Sequence, residues 1–233
     1  MQDSAMRRIG VISDVHGNLG ALVDALAAAA EEECAEVWCL GDTFSGAGAF
    51  DCFELVQKHC TRTLLGNHEE MVLEVDLDPS FQPEDDSPIG LAAAQLRDRP
   101  DLRPLLMDLR PLERISTPGG EIVLAHGSPH RPTWHWVKSA EDVDLAFAAI
   151  PSAHVLLVGH THVAALGAPA NGRGSDALYR VGRPLLDGIE LGEHKLLLNP
   201  GALSELPLGV PASWGMLTLD DDGRPTRFDW RYL

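Results

Sequence analysis

The sequence predicts an α/β protein, a sheet with helices packed on it, and three observations carry that reading. Short apolar runs alternate with amphipathic segments of helix length. Five of those runs end in Asp, His or Asn beside a glycine. The 233 residues, 45% hydrophobic and 23% charged, suit a single domain, residues 1–233, closing one sizeable core.

Arg7 to Ser13 reads as a short buried strand through Ile9, Val11 and Ile12, and Asn18 to Glu32 as a helix with Leu19, Leu22, Val23 and Leu26 at helical spacing. Val37 to Leu40 is a second apolar strand, Phe50 to His59 is helix-like through Phe53, Leu55 and Val56, and the β-branched run Thr61 to Leu65 is a third strand. This β-α-β-α-β rhythm is that of a layered sheet. Between Glu74 and Pro118 the pattern changes. Asp76 to Pro88 is an acidic, proline-containing loop, and Ile89 to Arg99 and Asp101 to Leu109 are short helices, so residues 74–118 read as a helical insertion or lid. Glu121 to Ala125 and His154 to Val158 are strands on either side of a helix, Ala140 to Ile150. In the tail, Ala177 to Val181, Lys195 to Leu198, Trp214 to Leu219 and Arg227 to Tyr232 imply hairpins, with Gly167, Gly172 and Gly174 as loop punctuation.

Composition narrows the partners. Asp+Glu 35 against Lys+Arg 18 gives a net charge of -17, which repels duplex nucleic acid and anionic membranes unless a local positive centre intervenes. The cysteines at 34, 39, 52 and 60 lack both a disulfide framework and paired zinc-ligand spacing, so they read as free thiols. The chain carries neither an apolar signal core near Met1 nor a run of about 18 apolar residues, and a cytoplasmic location is expected.

The chemistry sits where the strands end: Asp14-Val15-His16-Gly17-Asn18, Gly41-Asp42, Gly66-Asn67-His68-Glu69, His126-Gly127 and Gly159-His160-Thr161-His162. In open α/β sheets the carboxyl edge of the strands binds ligands. Taken singly, each piece has a bland reading as a turn, a helix cap or a surface pair. Five polar clusters at the ends of five apolar strands do not share one. Carboxylate, imidazole and amide oxygen form the donor set of Mn, Fe(II), Co, Ni and Zn. Asp14, His16, Asp42, Asn67, His126, His160 and His162 exceed what one such ion takes, so two divalent ions sharing a carboxylate are expected.

In order, spacing and residue type this series resembles the calcineurin-like metallophosphoesterase superfamily. His126-Gly127-Ser128-Pro129 and Asn199-Pro200-Gly201 further resemble its compact bacterial phosphoesterase branch. The resemblance implies a four-layered α/β/β/α sandwich of two mixed sheets flanked by helices. It implies one metal held by Asp14, His16, Asp42 and His162 and a second by Asp42, Asn67, His126 and His160. The activity expected is hydrolysis of a small phosphate monoester or diester by a metal-bound hydroxide. The alternatives are a nucleotide-directed phosphodiesterase and a non-catalytic metal-binding scaffold of the kind found in retromer-like complexes; degraded ligand positions would mark the scaffold, and all seven are intact. The chain departs from the protein Ser/Thr phosphatases and the symmetrical dinucleoside tetraphosphate hydrolases. Where those continue Gly-Asp with Asp-Arg-Gly, it has Gly41-Asp42-Thr43-Phe44-Ser45-Gly46, without the phosphate-gripping arginine.

His68 directly follows Asn67 and is expected over the site without binding metal, as a general acid; the bland reading is a histidine bonded to backbone. Glu69 reads as a helix cap or as the group that orients His68. Asn18 caps the first helix or steadies a phosphate oxygen. Arg131 supplies a guanidinium to substrate or is a solvated loop charge. Trp134 and Trp136 stack on an aryl group or nucleobase, or pack as lid residues. His59, His130, His135, His154 and His194 are read as surface or core residues, with His130, on the His126 loop, the first exception to consider.

Overall fold

The two-residue alternation of the first strand decides where the layers lie. Ile9 and Val11 face one apolar cluster and Ile12 the opposite one, while Gly10 leaves room for Ala29 of the first helix. A computed structural model describes residues 6–77, 87–170, 178–181, 188–204 and 211–233. In chain order its elements are β1 (Arg7–Ile12), α1 (Leu19–Glu31), β2 (Cys34–Cys39), α2 (Ala49–His59), β3 (Arg62–Thr63), α3 (Asn67–Leu77), α4 (Pro88–Asp98), α5 (Arg103–Met107), β4 (Leu112–Thr117), β5 (Gly120–Ala125), α6 (Ala140–Ala149), β6 (Ala153–Leu157), β7 (Ala165–Ala168), β8 (Leu178–Val181), β9 (Ile189–Glu190), β10 (Leu196–Asn199), β11 (Ser213–Leu219) and β12 (Pro225–Tyr232).

The strands form two mixed six-stranded sheets, β3-β2-β1-β11-β12-β9 and β4-β5-β6-β10-β7-β8. β1, β2 and β3 are parallel in the first, and β5, β6 and β10 in the second. Between the sheets lies a core that takes Ile9, Val11, Trp38 and Leu217 from one and Ile122, Val155, Leu157 and Leu198 from the other. Outside the first sheet, Leu22, Ala25 and Ala29 of α1 and Cys52 and Val56 of α2 cover Ile12, Cys39 and Trp214. Outside the second, Val143, Ala146 and Phe147 of α6 cover Val123, Leu156 and Leu197. The architecture is therefore the four-layered α/β/β/α sandwich expected. A fourth apolar cluster, with Phe44, Phe53, Val72, Ala92, Leu96 and Leu106, joins α2 to α3, α4 and α5.

Two expectations need correction. The segment read as helical, 74–118, does contain α4 and α5, but it ends in β4, an edge strand paired antiparallel with β5. Leu112 to Thr117 is nowhere fully buried and carries Glu113 and Arg114, so it lacks the apolar run by which a central strand is read. Gly167 is not loop punctuation: it lies within β7, where an added Cβ would meet Val143 Cγ2 at 2.6 Å. Gly172, Gly174 and most of the acidic loop, 78–86, fall outside the described residues. No described helix is long and apolar enough to cross a membrane, and all four cysteines are free.

Candidate metal centre

The loops after β1, β2, β5 and β6 and the start of α3 meet at one edge of the sandwich. Backbone bonds zip the first two together, with Asp14 N donating to Gly41 O and His16 N to Asp42 O, and Gly159 N donates to His126 O across the second sheet. Among the described non-glycine residues, six have positive φ: Glu33 and five of the predicted ligands, Asp14, His16, Asp42, His160 and His162. Such backbone costs about 1–3 kcal/mol per residue and persists where surrounding contacts over-determine it, as they do here.

The structure brings all seven predicted ligands together. One carboxylate or ring atom from each of Asp14, His16, Asp42 and His162 lies within 4.8 Å of the others, and the same holds for Asp42, His126 and His160, so Asp42 belongs to both groups. Its Oδ2 is 3.6 Å from His16 Nε2 and 3.2 Å from His126 Nε2. Asn67 joins the second group with Oδ1 3.1 Å from His126 Nε2. Asp14, Asp42, Asn67, His126 and His160 are buried, whereas the His162 side chain is 30% exposed, so the cluster opens to solvent on that side.

Three details fit these residues to a cation. Asp14 Oδ2 accepts from Ser13 Oγ at 2.6 Å and from His160 N at 3.0 Å, while Oδ1 is buried and faces the cluster, 3.2 Å from His162 Nε2. Ring nitrogens confront each other at 3.0 Å (His16 with His162) and 3.1 Å (His126 with His160). At that separation each pair either shares a proton or turns both nitrogens on a common cation, so the rings converge on the centre as metal ligands do. Finally, His126 Nδ1 is engaged by Leu40 O and His160 Nε2 by Trp134 O, which leaves His126 Nε2 and His160 Nδ1 free as the donors toward the centre.

The charges are strongly interdependent. Burial pushes His126 down, but the Asp42 and Asp14 carboxylates more than reverse this and raise it to about 9. Burial raises the Asp42 carboxyl, and the neighbouring His126 overcomes that to hold it at about 2. Burial and the charge of His126 press His160 to about 4.

His68 sits beside the cluster, its ring centroid 4.4 Å from that of His16. Its Nδ1 bonds Phe44 O at 3.0 Å, so the backbone contact of the bland reading is present, and Nε2 is the nitrogen left for proton exchange. Burial lowers its pKa. Asn18 caps α1, accepting from Ala21 N, and donates to Leu203 O. Arg131 is exposed on the turn after His126. His130 is exposed too, bonded to Ser128 Oγ and packed against His135, which pairs with Asp142.

The sequence reveals only part of what Glu69 does. Its carboxylate reaches back to Gly66 N, half of a capping box. It also accepts from Asp42 N, Thr43 N and Phe44 N. It therefore orients the Gly41-Asp42 turn rather than His68. Asn199 likewise stands in a motif whose purpose only the fold reveals. Its Nδ2 donates to Gly159 O at 2.7 Å and Thr161 Oγ1 at 3.0 Å, holding the loop that carries His160 and His162.

A buried cluster of carboxylates and imidazoles at the strand ends of a two-sheet sandwich is the arrangement of a metal-dependent hydrolase. Comparison with known proteins makes this specific. The chain belongs to the calcineurin-like phosphoesterase superfamily, whose domain model matches residues 6–222. It is therefore a hydrolase of the class that acts on phosphoesters, with an Asp/His metal-binding site. A metallophosphoesterase from Sphaerobacter thermophilus superposes with a TM-score of 0.79 at 26% identity, covering 97% of this chain and 89% of that one. A hypothetical protein from Pyrococcus horikoshii OT3 shares the fold, with a TM-score of 0.65 and 14% identity over 97% of this chain and 88% of that one. An uncharacterized protein of Methanocaldococcus jannaschii is 27% identical over 208 residues, 87% of this chain and 78% of its own length.

Proposed function

We propose that this chain hydrolyses a small phosphate monoester or diester with two divalent cations, one held by Asp14, His16, Asp42 and His162 and the other by Asp42, Asn67, His126 and His160. The observation that carries the reading is Asp42, whose carboxylate belongs to both groups of candidate ligands. A pair of divalent cations there would supply a water of lowered pKa and balance charge on the attacking and leaving oxygens of an in-line displacement.

The chain's own contribution is orientation and proton transfer. Ser13 Oγ and His160 N pin one oxygen of Asp14 and leave the other for the centre. Leu40 O and Trp134 O set the rings of His126 and His160. His68, anchored by Phe44 O through Nδ1, delivers a proton from Nε2 to the departing ester oxygen. The exposed edge at His162 is the side from which substrate would enter; Asn18 and Arg131, the candidate substrate contacts, follow the ligands His16 and His126 by two and five residues.

The test is a phosphoester panel on metal-stripped protein reconstituted separately with Mn, Fe, Co, Ni and Zn, using p-nitrophenyl phosphate, bis-p-nitrophenyl phosphate and cyclic nucleotides. Hydrolysis restored by about two equivalents of metal supports the reading. Stoichiometric metal uptake without turnover of any ester removes it. The ratio of monoester to diester turnover separates a phosphatase from a phosphodiesterase.

A further inference from the structure

The five tryptophans fall into two environments. Trp38, Trp214 and Trp230 are buried, as the apolar area of the indole favours. Trp134 and Trp136 stay 44% and 49% exposed, on the segment between His126 and α6. Both are attached to the centre. The Trp136 ring lies 5.4 Å from the His160 imidazole, centroid to centroid. Trp134 offers its carbonyl to His160 Nε2, and its indole Nε1 donates to Glu70 on α3 at 2.7 Å. That bond ties the segment to the helix that begins with Asn67 and His68 and fixes the direction of the ring. The Lys138 ammonium sits 3.2 Å from the Trp136 centroid, a cation–π contact that places positive charge at the edge of the site in a chain of net charge -17.

Residues packed as a lid would bury their rings; these are tethered on one side, Trp136 by Lys138 and His160 and Trp134 by Glu70, and keep close to half of their surface in solvent. We propose that Trp134 and Trp136 form a specificity rim that receives a flat aromatic group, aryl or nucleobase, carried by the phosphoester, with Lys138 favouring its negative charge. The inference rests on the phosphoester reading of the same site, and its test reads binding rather than turnover.

Protein loaded with the metal that restores hydrolysis, or with Mn(II) if none does, is titrated with phenylphosphonate and with methylphosphonate by calorimetry and tryptophan fluorescence. The two probes share the phosphonate and differ in the ring. Phenylphosphonate should bind about tenfold more tightly, and that ratio should fall to about twofold in Trp136→Ala and in Trp134→Ala. Trp136→Phe should keep most of it, and Trp136→Leu, which retains apolar bulk, should not. A ratio near one in the wild type, or an unchanged ratio in both alanine variants, overturns the proposal. A chain that prefers phenylphosphonate yet hydrolyses no ester keeps the rim and loses the phosphoesterase reading. One that hydrolyses esters but shows no preference does the reverse.

Discussion

Replacing Glu69 by Gln changes a single atom, yet the structure makes it a severe perturbation. The carboxylate is fully buried, and both oxygens are saturated by backbone donors. Oε2 accepts from Asp42 N at 2.9 Å and Gly66 N at 2.8 Å; Oε1 accepts from Thr43 N at 2.6 Å and Phe44 N at 3.1 Å. Burial pushes this carboxyl above its ordinary range, but a protonated form has no acceptor for its hydrogen, so the geometry requires the anion. A glutamine amide meets the same obstacle in either orientation, because its NH2 must face two N–H groups. Two buried donors left unpaired cost about 1–3 kcal/mol each, and the two bonds that survive lose their charge assistance. The expected loss is about 3–6 kcal/mol, a large part of the 5–15 kcal/mol typical of a folded protein. Urea denaturation of the metal-free variant, followed by circular dichroism, measures it. Because the affected N–H groups belong to the turn that carries Asp42, metal stoichiometry should fall as well. A stability loss below about 1 kcal/mol with full metal uptake would falsify the claim that Glu69 holds this turn.

Other expectations follow from the same geometry. His68→Ala should lower turnover by about 10²–10⁴-fold with metal content unchanged; loss of metal by plasma emission analysis would instead make His68 a ligand. Gly159→Ala would set a Cβ 2.0 Å from Ser13 Oγ and 2.8 Å from Asp14 Oδ2, so it should cost about 1–3 kcal/mol or more in thermal unfolding and weaken metal binding. By contrast, Gly20→Ala, on the exposed face of α1 with only Asn18 Oδ1 nearby, should stabilise by about 0.5–1 kcal/mol, and a loss there would count against the helix as described. Burial drives Cys34 to about 11, Cys39 and Cys52 to about 12, and Cys60 well above the ordinary thiol range. An aromatic disulfide reagent at pH 8 should therefore find fewer than about one thiol in the native protein and all four after denaturation. Rapid native labelling of two or more would contradict this.

The features legible in the sequence are chiefly those that depend on side-chain identity. Asp14, His16, Asp42, Asn67, His126, His160 and His162 stand out because metal chemistry admits few residue types, and because all but Asn67, which follows the half-buried edge strand β3, come after strands whose C-terminal ends are buried. The glycines beside them read as turn formers. That holds for Gly41, at φ +103, but Gly66 and Gly159 have no positive φ and are required for space: a Cβ on Gly66 would lie 2.1 Å from Asp42 Oδ1. Edge strands such as β4 escape notice because half-exposed strands carry charge where central ones are apolar.

The supporting shell is hidden for a different reason. Glu69, Leu40 O, Phe44 O and Trp134 O act on or through the backbone, and a backbone amide has no signature in a sequence. The same applies to the left-handed conformations of Asp14, His16, Asp42, His160 and His162, since nothing about aspartate or histidine demands them. At about 1–3 kcal/mol each, those five residues store strain comparable with the whole stability of a domain. They hold their conformations because the cross-loop bonds from Asp14 N and His16 N, the Glu69 carboxylate and the Asn199 amide leave the loops no relaxed alternative. The ligand identities thus specify what the centre can bind. The strained backbone beneath them is what keeps two carboxylates and four imidazoles within a few ångströms of one another against the cost of burying them.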